Sequence, residues 1–326
     1  MDNNGQLTFD DTPLKKKYRE GLFYIQKGEM FKALEIMENI LESGTNVPGI
    51  IDSVKAVKFW TNRWTRILKL EAGYKRAQLL INEWSNFERF LKEYNITFEE
   101  IIINLKNYIF KKIIKNLIIA FQSSDVPDID ILIKIGEIFL EIDEIDKSIE
   151  TFEYARVYQK HNSLILSLLA DGYYRKGNIK HSKLLFREAF LYFPEKIRIE
   201  SIKADFILVL YKKVSAIFGE RKLILYWLPV YGEIYNVLNV KREIEKKEIE
   251  NLIIEVENLE REYETKHFSN KELEPKLINR YFWIIDYYKL QNNNDEYANI
   301  FIDKLKNLNN EIYEIYINKD KEIEVE

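Results

Sequence analysis

The sequence predicts an all-α protein whose helix-turn-helix repeats stack as a solenoid, and three observations lead to this prediction. Glycine and proline, which interrupt helices, number only 11 and 6 among 326 residues, whereas 46% of the residues are hydrophobic. Apolar residues recur at steps of three and four positions, as on one face of a helix. The segment 129–162 also aligns with 163–196, an offset of 34 residues that is typical of a two-helix repeat.

Large and small side chains recur in step between the two aligned segments. Where two helices cross closely only a small side chain fits, and the large side chains then fill the space between successive repeats. The predicted repeat-packing residues are Gly136, Phe139, Phe152, Ala155, Ala170, Tyr173, Phe186 and Ala189. A single helix pair cannot bury its own apolar face, so these positions predict stacking.

The second segment resembles the tetratricopeptide repeat (TPR) family, with Lys176-Gly177-Asn178 as its turn between helices. The residues that carry the resemblance are Leu166, Leu169, Ala170, Tyr173, Ser182, Phe186, Ala189 and Pro194. It covers residues 129–196 in one register and extends more loosely over 14–90, where Gly21, Tyr24, Gly28, Ala33, Met37 and Ile40 keep the same spacings. The resemblance implies a TPR-like α-solenoid with a concave surface for a protein or peptide partner.

The repeat suggests five segments along the chain. Residues 1–13 are predicted to be disordered, and 14–122 to form a helical block with degenerate repeat units. Within that block the breaks place helices near 14–27, 30–43, 50–70, 74–94 and 98–121. Residues 129–196 form the two tandem repeats, 197–317 a helical C-terminal capping region, and 318–326 a charged tail.

The capping region departs from the repeat period. Residues 197–218 are predicted to form one long helix, and Leu223–Val240 is rich in aromatic residues with Pro229 inside it, where a proline should kink or begin a helix. Two interpretations of that aromatic segment stay open: it covers the apolar end of the stack, or it binds a partner. The aromatic patch comprises Tyr226, Trp227, Tyr231 and Tyr235.

A heptad-like seam follows, with apolar residues at steps of three and four. Its members are Ile249, Leu252, Val256, Leu259 and Tyr263. The favoured interpretation is a long surface helix that packs against its own chain, and the alternative is a homodimer, or a homo-oligomeric structural protein, formed through 249–263.

The sequence offers little that points to catalysis. There is no cysteine, the three histidines lie far apart, and no glycine-rich phosphate loop or nucleophile elbow is found. We therefore predict no enzyme activity, no metal and no cofactor. The 49 basic and 53 acidic residues give a net charge of −4, which disfavours nucleic acid. With no signal peptide or transmembrane segment visible, a cytoplasmic location is expected.

The TPR resemblance implies where a partner should bind, namely on the concave face of the first helix of each repeat. The candidate groove residues are Lys134, Glu137, Glu141, Asp171, Tyr174 and Arg175. They lack the lysine and asparagine arrangement with which some TPR domains hold a C-terminal carboxylate. This groove favours a helix or extended segment that bears apolar and basic groups.

The expected function is thus a non-catalytic protein-protein interaction scaffold or adaptor. The abundance of Ile, Lys and Asn resembles proteins of low-GC bacteria, so a multi-protein assembly of the bacterial envelope or flagellar motor is one hypothesis. A regulatory module that binds a peptide or small ligand near Tyr173, Tyr174 and Asp171 is the main alternative.

Overall fold

The computed structural model describes residues 13–44 and 47–323, with side chains described as far as 318, and every regular element in these ranges is helical. The chain divides into two compact units, Met1–Asp143 and Glu144–Glu326. This division falls inside the predicted 129–196 block, between its first two helices. The predicted disorder of residues 1–13 lies outside the described residues except at Pro13, which begins the first helix.

The first unit contains six helices. They are α1 (Pro13–Lys27), α2 (Met30–Glu42), α3 (Ile50–Lys69), α4 (Tyr74–Glu93), α5 (Glu99–Gln122) and α6 (Ile129–Glu141). The first five begin and end within one residue of the predicted bounds, because breakers such as Gly49 and Gly73 precede clear apolar periods. Each helix packs against the next, and α5 also contacts α1 and α3.

Aromatic rings fill the core between α3 and α4. Trp60 stacks on Trp84 with 6.1 Å between ring centroids, and Phe87 lies 5.5 Å from Trp60. All three side chains are buried. Burial of each such ring stabilises the fold by about 1.5–3 kcal/mol, because apolar surface is removed from water. This packing fixes the position of α3 relative to α4, and therefore the positions of the side chains on their outer faces.

The second unit contains the remaining helices. They are α7 (Ile145–Tyr158), α8 (Ser163–Arg175), α9 (Ile179–Tyr192), α10 (Asp205–Ser215), α11 (Arg221–Ile234), α12 (Lys246–Lys266), α13 (Leu273–Asp286), α14 (Asp295–Leu308) and α15 (Asn310–Ile323). A π-helical turn, Tyr287–Gln291, continues α13. Helix α15 runs past 317, so the predicted charged tail is helical as far as the described residues extend.

The prediction of one helix over residues 197–218 is wrong. Two 3₁₀ turns, Pro194–Lys196 and Ile199–Ser201, precede α10, and Ile202 is extended with ψ of 138°. The backbone N–H groups of Lys203 and Ala204 donate to the side chain of Asp171 instead of to a preceding helical turn. This carboxylate is a distant partner, which local periodicity does not reveal.

Helix α11 runs through Pro229 without interruption, so the proline does not begin a helix there. It packs against α9, α10, α13 and α15. Tyr226 and Trp227 are buried among these elements.

Helix α13 is the centre of the second unit, and nearly all of its side chains are buried. It brings Asp286 to a buried cluster of charges. Arg187 and Lys241 both pair with Asp286, and Glu233 carboxylate oxygens lie 3.5 Å from each of these cations. Two positive and two negative side chains therefore balance, as burial of charge requires.

Helix α12 packs against α13, and Ile249, Leu252 and Val256 of the predicted seam are buried. Leu259 and Tyr263 are half-buried. The seam therefore serves contacts within the chain, as the favoured interpretation held.

The repeat-packing residues are largely interior. Phe152, Phe186 and the three alanines at 155, 170 and 189 are fully buried and Gly136 is buried, whereas Phe139 and Tyr173 are half-buried. Over the described ranges, no helix has both the length and the apolar character needed to cross a membrane.

Candidate functional site

The α6 part of the predicted groove, which belongs to the first unit, is engaged in local ion pairs. The Lys134 ammonium lies 3.8 Å from the Glu137 carboxylate one turn along α6. The Lys106 ammonium of α5 donates to Glu141 at 2.7 Å. These are accessible pairs that contribute about 0–1 kcal/mol each to stability.

The α8 part of the predicted groove, which belongs to the second unit, is interior. Asp171 is fully buried, and its Oδ1 accepts hydrogen bonds from the backbone N–H groups of Lys203 and Ala204 at 2.6 and 2.9 Å. Its Oδ2 accepts from Arg175 Nε at 2.9 Å. Burial raises the pKa of the Asp171 carboxyl, against the lowering effect of these donors.

The chain itself covers this face of α8. The Tyr174 hydroxyl donates to Asp205 at 2.8 Å, and its ring meets Phe206 edge-on at 5.8 Å. Ser167 and Leu168, one turn before Asp171, are also buried. The expectation that this face is open to a partner is corrected: residues after the 3₁₀ turns occupy it.

The predicted aromatic patch is mostly core. Tyr226 and Trp227 are buried, Tyr231 is half-buried, and only Tyr235 is exposed, at 44%. The Tyr226 hydroxyl donates to Glu195 at 2.6 Å, and burial raises its pKa. Two of its four rings therefore pack within the second unit and are not accessible to a partner.

An open groove of about 710 Å³ lies between α3 and α4, and sequence reasoning missed it. Cationic, amide and aromatic side chains line it. They are Lys55, Lys58, Phe59, Asn62 and Arg63 from α3, and Asn86, Arg89, Phe90, Glu93 and Tyr94 from α4 and its end. Four cations thus face one carboxylate, and we call this feature the α3–α4 groove.

A buried carboxylate holds one cation of the groove in place. Arg63 Nε donates to Glu83 at 3.0 Å, and its guanidinium lies 3.6 Å from the centroid of the Phe59 ring. Glu83, which is buried, also pairs with Arg66. The contacts with Glu83 and with the Phe59 ring orient the Arg63 guanidinium before a ligand binds, which reduces the entropy cost of binding.

Aromatic rings form one wall of the groove. Phe90 lies 5.0 Å from Phe59 and 4.7 Å from Tyr94 between ring centroids. Tyr94 is 51% exposed, whereas Phe59 is buried and Phe90 half-buried. The groove therefore combines apolar contact with positive charge.

The sequence contains a signal for this groove. Residues 55, 59 and 62 of α3, and 86, 90 and 93 of α4, follow helical steps and lie on one face of each helix. Two consecutive helices with polar and aromatic residues at matching steps indicate a shared surface.

The part of the chain that the structure describes contains no cluster of side chains suited to bind a metal ion. No group of three or more His, Asp or Glu side chains there is arranged to hold a metal ion.

The class that the fold and the groove define is an all-helical protein with an open, basic and aromatic surface groove. Comparisons with protein-family models, with curated proteins and with solved structures find no match for this chain.

Proposed function

We propose that this protein is a non-catalytic scaffold that binds an acidic segment of a protein partner in the α3–α4 groove. One observation carries the proposal: the groove aligns Lys55, Lys58, Arg63 and Arg89 beside aromatic rings, with Glu93 as its single carboxylate. Carboxylates of a partner would gain charge-assisted hydrogen bonds there, and an apolar residue would contact Tyr94.

The positive charge of the α3–α4 groove favours an acidic partner, whereas the sequence predicts a partner that bears basic groups. The predicted α6 and α8 surface suggested a basic partner, but its carboxylates form ion pairs within their own units, and Asp171 is buried. In the α3–α4 groove Lys58 and Arg63 also form ion pairs, with Glu38 and Glu83, but Lys55 and Arg89 are exposed and form none among the described residues. Electrostatic complementarity therefore favours an acidic segment.

A single-stranded nucleic acid is less well supported than an acidic peptide. Stacking platforms present successive exposed rings to successive bases, whereas in this groove only Tyr94 is strongly exposed. The chain also carries a net charge of −4, which opposes phosphate binding over a long surface.

The residues of the groove support binding in preference to catalysis. Its lining contains no histidine, serine or threonine, and Glu93, its one carboxylate, is exposed. General acid-base and nucleophilic mechanisms most often use those side chains, each within hydrogen-bond reach of a partner group. Amides, cations and rings are typical of recognition surfaces.

We also propose that α8 and α9 form a TPR-like helix pair. Their bounds match the resemblance, Gly177 has φ of +84° in the turn between them, and Ala170, Phe186 and Ala189 are buried. A role in an assembly of several proteins would follow from such a pair and from a groove that takes a partner.

The proposed function is testable with a labelled peptide of alternating Glu and Leu and the full-length protein. Fluorescence anisotropy should show saturable binding that weakens about tenfold or more in Lys55→Glu/Arg89→Glu, because two attractive contacts become repulsive. Lys69→Glu/Lys75→Glu is the matched control, since these exposed lysines lie on the same two helices outside the groove.

Three results would contradict the proposal. They are absence of binding by the wild type, equal weakening in the control variant, and tighter binding of a labelled poly-dT strand that competes with the peptide. The last result would assign the groove to nucleic acid. Circular dichroism of each variant establishes that the helices are intact.

A further inference from the structure

A second cavity in the first unit, separate from the α3–α4 groove, holds a cluster of cations. It has a volume of about 260 Å³ and lies where the end of α3, the start of α4 and the last third of α5 meet. Its polar residues are Arg76, Lys112, Lys115 and Asn116, and its apolar residues are Trp64, Ile67, Leu68, Ala72, Leu80 and Ile119.

No carboxylate neutralises these cations. The lining contains neither Asp nor Glu, and among the described residues Arg76, Lys112 and Lys115 form no ion pair. Arg76 donates from Nε to the Leu70 carbonyl at 2.9 Å and from a terminal nitrogen to the Leu68 carbonyl at 3.2 Å. Its guanidinium is therefore fixed at the cavity by carbonyls at the end of α3, whose partial negative charge offsets only part of its own.

The three cations repel one another. Burial lowers the pKa of the Lys112 ammonium, and the charges of Lys115 and Arg76 lower it further. Lys112 is half-buried, so its charge is screened less by water than a fully exposed lysine would be. An anion in the cavity would remove this repulsion and restore the Lys112 pKa.

The start of α4 adds to the positive potential. The Gly73 N–H donates to Asn116 Oδ1 at 3.1 Å, and Asn116 Nδ2 donates to the Lys112 carbonyl at 2.8 Å. Asn116 is buried, so it holds the first turn of α4 against α5 at the edge of the cavity. A helix start carries about half a positive charge.

We propose that this cavity is a binding site for a phosphate monoester. A phosphate monoester carries about 1.5 to 2 negative charges at pH 7 and three acceptor oxygens, so it matches a cavity lined by three cations better than a single carboxylate would. The volume falls below the range of about 300–1,000 Å³ that drug-sized ligands occupy. The cavity therefore fits the phosphate group, with the rest of the molecule outside.

The phosphate has two possible sources, a small soluble ester and a lipid headgroup. Leu68, one of the apolar residues that line the cavity, is 52% exposed. Apolar side chains next to cations suit an acyl chain as well as a small organic group. The chemistry that recognises the phosphate is the same for both sources.

The test uses the full-length protein with glycerol 3-phosphate as the probe, in a buffer of constant ionic strength. Calorimetry should show saturable binding to the wild type that weakens about tenfold in Lys112→Gln and in Lys115→Gln, because each loses one charge-assisted hydrogen bond. Lys111→Gln is the matched control, since Lys111 is on the same helix but does not line the cavity.

A second readout is specific to this cavity. Binding should raise the Lys112 pKa, so at alkaline pH the wild type should take up protons from the buffer, and Lys112→Gln should take up fewer. Lys112→Arg retains the charge and should retain binding, which separates loss of charge from loss of folding.

Vesicles containing phosphatidic acid, compared with phosphatidylcholine vesicles, distinguish the sources. Binding to the soluble ester alone or to phosphatidic acid alone supports the site and identifies its source. Absence of binding to both, or equal weakening in Lys111→Gln, would overturn the proposal. Neither result depends on the α3–α4 groove, so the two proposals fail independently.

Discussion

Arg187 on α9 forms a buried ion pair with Asp286 on α13, 99 positions further along the chain. The side chains are only 5% and 7% exposed, and the Arg187 guanidinium also lies 4.4 Å from the Trp283 ring. Arg187→Met should lower the free energy of unfolding by about 3–5 kcal/mol, because Asp286 and Glu233 would lose a buried counter-charge. Urea denaturation measures this loss.

The exposed pair of Arg221 and Glu200 is the control for that experiment. The two side chains are 57% and 61% exposed and lie 2.8 Å apart. Arg221→Met should cost about 1 kcal/mol or less, since solvent screens such pairs. Equal costs for the two variants would refute the view that burial makes the Arg187 pair important.

Asp171 should tolerate an amide but not a methyl group. Asp171→Asn keeps an oxygen for the N–H groups of Lys203 and Ala204 but turns an NH₂ donor towards Arg175 Nε, so we expect a loss of about 1–2 kcal/mol. Asp171→Ala leaves both donors without that acceptor and should cost about 2–4 kcal/mol. Thermal unfolding of both variants provides the comparison, and similar losses would contradict the assigned role.

Gly28 should be sensitive to alanine because of its neighbour as well as its backbone. Its φ is +85°, and an added Cβ would lie 2.1 Å from the Tyr108 hydroxyl oxygen. Gly44 has a φ of +71° but nothing within 4 Å, so it isolates the backbone contribution. Gly44→Ala should cost about 1–2 kcal/mol and Gly28→Ala about 1–3 kcal/mol more in chemical denaturation. Equal costs would mean that Tyr108 moves aside freely.

Tyr108 should make the first unit sensitive to alkali. Burial raises its pKa from 10.0 to about 12. The unfolded chain therefore releases this proton first, and stability that is complete below pH 10 should decline as the pH rises towards 12. Tyr108→Phe should show a smaller decline than the wild type, whereas Tyr74→Phe, at an exposed position, should decline as the wild type does. Denaturation midpoints between pH 9 and 12 test this.

Local sequence features were sufficient to predict most of the helices. Gly49 and Gly73 mark helix starts, and Leu105, Ile109 and Ile113, which follow one another in α5 at steps of four, are buried on one face of that helix. These features depend on neighbours within one or two turns of the chain. The spacing of apolar residues in one sequence therefore predicts which of these neighbours share a helix face.

The candidate sites could not be predicted in the same way. Asp171 has the position of a groove residue in a TPR-like repeat, but residues more than 30 positions later cover it. Lys112 and Lys115 lie three positions apart on α5, but Arg76 lies on α4, and nothing in the sequence shows that it meets them. Contacts between distant segments determine which polar side chains remain accessible.

The buried charge cluster of the second unit has a consequence for the order of folding. Neighbouring helices such as α8 and α9 join residues close in the chain and can associate early. The pair of Arg187 and Asp286 closes a loop of 99 positions, so we expect the cluster to form late in folding. Contacts that form after the transition state slow unfolding without speeding folding. The cluster is therefore expected to prolong the lifetime of the folded second unit.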